Sequence, residues 1–263
     1  MGDLLGKALL FGELTSAEVQ NILKRKKTPV VILPMGATEA HGSHLPLWTD
    51  SITPFELAKR VSQETGALVL PPLNYGFCYT LRPWTGTISL TSRTFAETIK
   101  DITRELVRNG FDKLLFLNGH GANASIAGHV LRELSDEFCG APIHGRRKSR
   151  KAAECRSFRA CIVSWWEMKE VADICSSATG HADENEESIV MALTGWKKRK
   201  ALQKPTKKYF GRLFPMPKDQ FTQFGYVGKV GNGTVEKGEA MVNAIVKKLV
   251  QLVKSDLVLE EGD

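Results

Sequence analysis

VVILPMGATEAHGSHLPLWTD, residues 30–50, is the stretch whose reading decides the fold. An apolar run from Val30 to Leu33 breaks at Pro34 and Gly36, and Glu39, His41, His44 and Asp50 then follow within twelve positions. A short apolar run with no polar alternation fits a strand covered on both faces. Acidic and imidazole groups placed directly after it belong on a loop held by a rigid scaffold, where functional residues concentrate.

Outward from this stretch the same grammar repeats. Further strands are predicted at Ala67 to Leu70, Lys113 to Leu117 and Ala160 to Ser164. Amphipathic segments lie around them: Ser16 to Arg25 after a Thr15/Ser16 start signal, Pro54 to Glu64, Thr94 to Asn109 ending at Gly110, Ala124 to Phe138, Glu187 to Leu193, and a closing helix over Val235 to Lys254. Strands separated by helices argue for parallel pairing through right-handed crossovers. The expected fold is a layered α/β/α sandwich with a mostly parallel central sheet, built as one domain over residues 1–263.

In open α/β sheets the site forms beyond the carboxyl ends of the strands. Three predicted strand ends carry metal-capable groups: Glu39, His41 and Asp50 after the first, Asn118, His120 and Asn123 after the third, and SWWEM followed by GHADENEES after the fourth. A Glu-x-His pair with a carboxylate nine residues on, joined by His120, makes a mixed nitrogen and oxygen set suited to Zn²⁺, Mn²⁺ or Fe²⁺. Gly119 and Gly121 flank His120 and allow a close backbone approach. Asn123 reads as a substrate contact, with a second reading as the cap of the helix near Ala124. His44 reads as a supporting or substrate-contacting group, because Gly42 and Ser43 turn it from His41. In TGHADENEES, Glu186 and Glu187 cannot face one direction on a helix, so at most one reaches the site. His181 is a candidate proton donor or acceptor there.

Composition narrows the partners. The chain has 42% hydrophobic and 25% charged residues and a formal net charge of +7, the balance of a globular protein with a mild preference for anions. The surplus sits in two clusters, Arg146, Arg147, Lys148, Arg150 and Lys151, and Lys197 to Lys200 with Lys204, Lys207 and Lys208. Neither is interleaved with aromatic platforms, so both read as solvated loops and no nucleic-acid partner is expected. Five cysteines without a CxxC pair suggest reduced thiols rather than disulfides or a thiolate zinc site. Nowhere do 18 apolar residues run together, and no signal cleavage pattern opens the chain. A soluble, cytoplasmic protein with no membrane partner is expected.

The ordered motifs GATEAHGSHLPLWTD, GTISL, NGHGAN, VSWWE and HADENEES resemble the creatininase (creatinine amidohydrolase) family, and GYVGKVGNGTVEKGEAM resembles the family's ending. The resemblance implies a two-metal amidohydrolase on an α/β sandwich, assembled as a homohexamer, a trimer of dimers. It implies that Glu39, Asp50 and His120 hold one ion and His41 and Asp50 the other, with Asp50 bridging. In creatininase proper a glutamate follows the histidine by two residues; here that position is Ala122. The missing ligand is then Glu186 or Glu184, or the second position stays weak or empty. His181 matches a catalytic histidine, with Glu184 as a neighbouring catalytic carboxylate, and Trp165 or Trp166 an aromatic over the substrate. Where the family often has a histidine before its glycine-threonine turn, this chain has Arg82 and Trp84. Arg82 is expected to bind an anionic group, unless it is a plain surface arginine.

The implied chemistry is hydrolysis of a non-peptide C–N bond of a small amide, cyclic or formamide. Divalent ions lower the pKa of water and polarise the carbonyl, and His181 or a neighbouring carboxylate passes a proton to the leaving nitrogen. Two other readings stand beside it: a peptidase of the same family trimming a precursor, and a catalytically silent metal-binding protein, which Ala122 favours.

Overall fold

The computed structural model describes residues 6–25, 29–140, 158–175, 180–200, 225–255 and 257. Its elements run β1 (Leu9–Leu10), α1 (Ser16–Leu23), β2 (Val31–Met35), α2 (Thr49–Thr65), β3 (Leu68–Val69), α3 (Ser92–Asn109), β4 (Lys113–Asn118), α4 (Gly121–Cys139), β5 (Arg159–Ser164), α5 (Lys169–Ala172), α6 (Glu184–Thr194) and α7 (Val235–Lys254). The five strands form one parallel sheet in the order β1-β3-β2-β4-β5. Met35 is level with Asn118, and Asn118 with Ser164. The three strand ends singled out in the sequence are therefore adjacent and finish in line.

Alternation along the central strands divides two apolar layers. Val30, Ile32, Leu115 and Leu117 face Leu57 and Val61 of α2, Ile189 of α6 and Met241, Ile245 and Leu249 of α7. Val31, Leu33, Leu114 and Phe116 face Ile22 of α1, Ile99 and Leu106 of α3 and Val130 and Leu134 of α4. All four apolar residues of β4 are buried, each stabilising the fold by about 1.5–3 kcal/mol. This is the α/β/α sandwich expected. Thr15 closes a capping box on α1, and Thr91 and Thr234 cap α3 and α7.

Three boundaries depart from the sequence reading. β1 has two residues, too few for periodicity to register. α4 begins at Gly121 with His120 in the cap position, and Asn123 lies inside the first turn rather than capping it. α2 begins at Thr49, five residues before Pro54. Pro54 fits there because the first turn is built by Ser51 and Ile52 donating to the Trp48 carbonyl. The Asp50 carbonyl, which a proline four residues on cannot pair, lies against Gly119 instead.

That approach fixes Asp50. A Cβ on Gly119 would come within 2.0 Å of the Asp50 carbonyl oxygen, and one on Gly36 within 2.4 Å of the Ser51 Cα. The ends of β2 and β4 thus press on the first turn of α2 through positions that admit only glycine.

No helix among the described residues is long and apolar enough to cross a membrane. The basic run 146–151 and Lys204, Lys207 and Lys208 lie outside the described residues. Lys197 to Lys200 are exposed, with Arg199 stacked on Trp196, as solvated loop residues would be.

Gly119→Ala is expected to destabilise the protein by about 1–3 kcal/mol, the cost of overpacking a rigid site, and to weaken divalent-ion binding with it. Denaturant unfolding and a metal titration on the same variant check both; unchanged midpoint and affinity would contradict the close packing.

Candidate metal centre

Three loops bring Glu39, His41, Asp50, His120, His181 and Glu186 together at the ends of β2 and β4 and the start of α6. Each imidazole is oriented in the same way. His41 donates from Nδ1 to the Glu39 carbonyl (3.0 Å), His120 from Nε2 to the Phe77 carbonyl (3.0 Å) and His181 from Nε2 to the Ala40 carbonyl (2.8 Å). A carbonyl only accepts, so these bonds put a proton on the nitrogen named and turn the other nitrogen of each ring toward the carboxylates. His41 Nε2 is 2.9 Å from Asp50 Oδ1 and 3.7 Å from Glu186 Oε2. His120 Nδ1 is 3.0 Å from Asp50 Oδ2 and 3.1 Å from Glu39 Oε1, and His181 Nδ1 is 3.7 Å from Glu39 Oε1.

Asp50 therefore offers one oxygen to each of two histidine groups. It sits in the first turn of α2, where the helix N-terminus favours a carboxylate. Burial opposes its charge, but His41 and His120 outweigh burial and hold Asp50 well below the usual carboxylate range. His41 and His120 show the converse. Burial works against their charged forms, yet Asp50 and Glu186 beside one, and Glu39 and Asp50 beside the other, raise both well above the ordinary imidazole value.

The spacings of His41 and His120 to Asp50 and of His120 to Glu39, 2.9–3.1 Å, are close to the roughly 3.0–3.4 Å of donors sharing an ion at bonds of about 2.1 Å, and the two at 3.7 Å are slightly wider. Glu39 Oε2 is buried with no hydrogen-bond partner, a cost that a cation removes. Among the described residues no lysine or arginine pairs with Glu39, Asp50 or Glu186. His120 Nδ1 lies within reach of both Glu39 and Asp50, and the groups His41, Asp50 and Glu186, and Glu39, His41 and His181, each place donor atoms within 4.8 Å of one another, so the residues fit divalent cations.

The acidic start of α6 sorts itself by partner. Glu184 is fully buried and ion-paired with Lys237, and it does not border the cavity. Glu187 Oε2 accepts from the Gly233 N–H at 2.8 Å. Glu186 alone turns to His41, as helical spacing required. Asp183 caps the helix by accepting from Asn185 N–H and Glu186 N–H, and burial and Glu186 push it up to about 7. Between His181 and Asp183, Ala182 holds a left-handed φ of 52°, a strained setting costing about 1 kcal/mol or more. Its carbonyl accepts from His44 Nε2 (3.0 Å) and its N–H donates to Glu186.

A cavity of about 230 Å³ opens over the cluster, with Trp165, Trp166, Leu81, Ala122 and Asn185 among its walls. The two indoles meet edge to face at 5.6 Å, and the buried Trp165 Nε1 has no hydrogen-bond partner. Four expected site residues lie elsewhere. His44 braces Ala182. Asn123 accepts from Phe77 N–H and donates to the Gly36 carbonyl, tying two loops together. Arg82 is exposed and stacks on Tyr79, and Trp84 packs on Gly225. Conversely, Cys78 was missed. It is fully buried beside Glu39 and His120, and burial with the Glu39 and Asp50 charges pushes its thiol well above the usual range.

With this geometry in place, the comparisons with known proteins speak to ancestry. The creatininase family model, described as creatinine amidohydrolase, matches residues 12–253, so the chain belongs to that family. It is 31% identical over 173 residues to the creatinine amidohydrolase of Pseudomonas putida, covering 62% of this chain and 60% of that protein. It is 32% identical over 121 residues to the mycofactocin precursor peptide peptidase of Mycobacterium ulcerans, covering 41% of this chain and 47% of that one. The chain thus spans well under two thirds of the curated relatives it matches. A solved manganese form of creatininase superimposes with a TM-score of 0.81 at 25% identity, over 96% of this chain and all of that one.

The sign of the pH dependence follows from the raised groups. The stability that His41 and His120 lend the metal-free protein is complete below their unfolded value near 6.5 and is lost as pH rises through the raised values. Asp183 acts in the same sense through about 7, while the lowered Asp50 contributes at a constant level above its unfolded value. The metal-free Tm is expected to fall as pH rises above about 6.5, and the Tm gain from added Mn²⁺ or Zn²⁺ to grow in the same direction as cations replace protons. A gain that ignores pH would contradict the shared sites.

Proposed function

We propose that this chain is a metal-dependent hydrolase that cleaves the C–N bond of a small, non-peptide amide, cyclic or formamide, and that it does so with two divalent ions per chain, Zn²⁺, Mn²⁺ or Fe²⁺. The observation that carries this reading is the set of three imidazoles, each locked by a backbone carbonyl, aimed at carboxylates that no lysine or arginine neutralises among the described residues. When bound, the ions supply a lowered water pKa and a polarised carbonyl.

The protein's own residues divide the remaining work. Glu39, Asp50 and His120 hold one ion, and His41, Asp50 and Glu186 the other, with Glu186 taking up the function that Ala122 cannot serve. His181 stands over the cluster, its ring 4.3 Å from that of His41, and is placed to pass a proton at Nδ1 to the leaving nitrogen. Its backbone pairs both ways with Val227, at 2.7 and 2.9 Å, which keeps the ring in place. Trp165 and Trp166 exclude water and offer a flat apolar wall to a planar amide, and Trp165 Nε1 is a donor awaiting an acceptor.

A cavity of about 230 Å³ is at the small end for ligand pockets, which favours a small molecule over a peptide. Likeness to a precursor peptidase keeps short peptides in the substrate screen. The chain acts as a single domain within a homo-oligomer, a hexamer of three dimers. Its exposed Leu47, Trp48, Tyr75, Tyr79 and Ile88, on loops after β2 and β3, are apolar surface that a second copy would cover.

Purified protein loaded with Mn²⁺ or Zn²⁺ is expected to hydrolyse a member of a screen comprising creatinine, formamidopyrimidines and short peptides. Asp50→Ala, which strips a ligand from both ions, should lower turnover by at least about a hundredfold. Full activity in that variant would rule out the bridging role.

A further inference from the structure

We propose that Cys78 is a fourth protein ligand on the ion held by Glu39, Asp50 and His120, making that position a mixed N/O/S site that prefers zinc. This rests on the metal reading above and adds to it.

Three observations carry it. Cys78 Sγ, a Glu39 oxygen and a His120 nitrogen lie within 4.8 Å of one another, and all three residues are buried. A sulfur and an oxygen or nitrogen on one tetrahedral ion stand about 3.6 Å apart, from a Zn–S bond near 2.3 Å and a Zn–O or Zn–N bond near 2.1 Å, so a shift of about 1 Å closes the group. Glu39 Oε2, buried and without a hydrogen-bond partner, marks the same pocket of unspent bonding capacity. Finally, Cys78 is held from both sides: its N–H donates to Ser89 Oγ at 2.8 Å, while the carbonyl of Phe77 just before it accepts from His120 itself at 3.0 Å. The thiol and the imidazole are thereby fixed to one another.

Direction matters as much as distance. Cys78 does not border the cavity, whereas Glu39, Asp50 and His120 do. The sulfur meets the cluster from the interior and leaves the cavity side open to substrate. Binding replaces the S–H bond with an S–metal bond, and the proton leaves to solvent. A thiolate adds softness that a purely oxygen and imidazole site lacks, which shifts preference from Mn²⁺ toward Zn²⁺.

The test is a titration of the metal-free, full-length protein with Co²⁺, followed by absorption spectroscopy. The expected result is visible ligand-field bands accompanied by a near-ultraviolet sulfur-to-cobalt charge-transfer band, which persists in Cys139→Ser and disappears in Cys78→Ser or Cys78→Ala while the ligand-field bands remain. Competition between Zn²⁺ and Mn²⁺ should show the zinc preference falling about tenfold or more in Cys78→Ser. Ligand-field bands without the charge-transfer band in the wild-type protein would overturn the proposal yet leave the metal centre standing, as would a band that survives both Cys78 variants. Absence of any cobalt bands would overturn both.

Discussion

Buried negative charge that no lysine or arginine among the described residues neutralises is the constraint around which this molecule is arranged. Glu39, Asp50 and Glu186 occupy the floor of one cavity, two of them almost fully buried, and among the described residues the basic groups that face them are imidazoles. Taking carboxylates out of water is costly unless cations or protons accompany them. Two residues before Glu186, Glu184 shows the alternative: just as buried, it is neutralised by Lys237 and has no further need. The same helix turn thus contains one carboxylate spent on the fold and one kept for the site.

The architecture serves that constraint. Parallel strands finish level, so loops after β2 and β4 and the segment after β5 open on a single edge. Gly36 and Gly119 let α2 press its first turn against that edge and deliver Asp50 between the two histidines. Backbone carbonyls of Glu39, Phe77 and Ala40 set the three rings before anything binds. Such preorganisation lowers the cost of assembling a charged site. The strained Ala182, braced by His44 and Glu186, is a place where local comfort was surrendered to position His181.

Much of this was legible in the chain. Continuous apolar runs marked the central strands, and the groups after them marked the edge where chemistry collects, so Glu39, His41, Asp50 and His120 were visible together. What stayed hidden depended on contacts far apart in sequence. Glu184 is paired with Lys237, 53 residues further on, a contact that no spacing in the sequence announces. Asn123 read as a cap or a substrate contact because its true partners, Gly36 and Phe77, lie 87 and 46 residues away. The amphipathic pattern starts at Pro54, while the helix begins at Thr49 and packs its Asp50 carbonyl against Gly119, a contact 69 residues away that the pattern does not register. Cys78 carried no signal at all: one cysteine in a loop has no spacing to read.

The most direct test of the account is a calorimetric titration of metal-free protein with Zn²⁺ or Mn²⁺ at neutral pH. Two ions per chain, with Glu186→Gln reduced to one, is the result the shared-carboxylate geometry predicts. A wild-type chain that binds no divalent ion would contradict it, since the buried carboxylates would then be satisfied by protons and imidazoles alone.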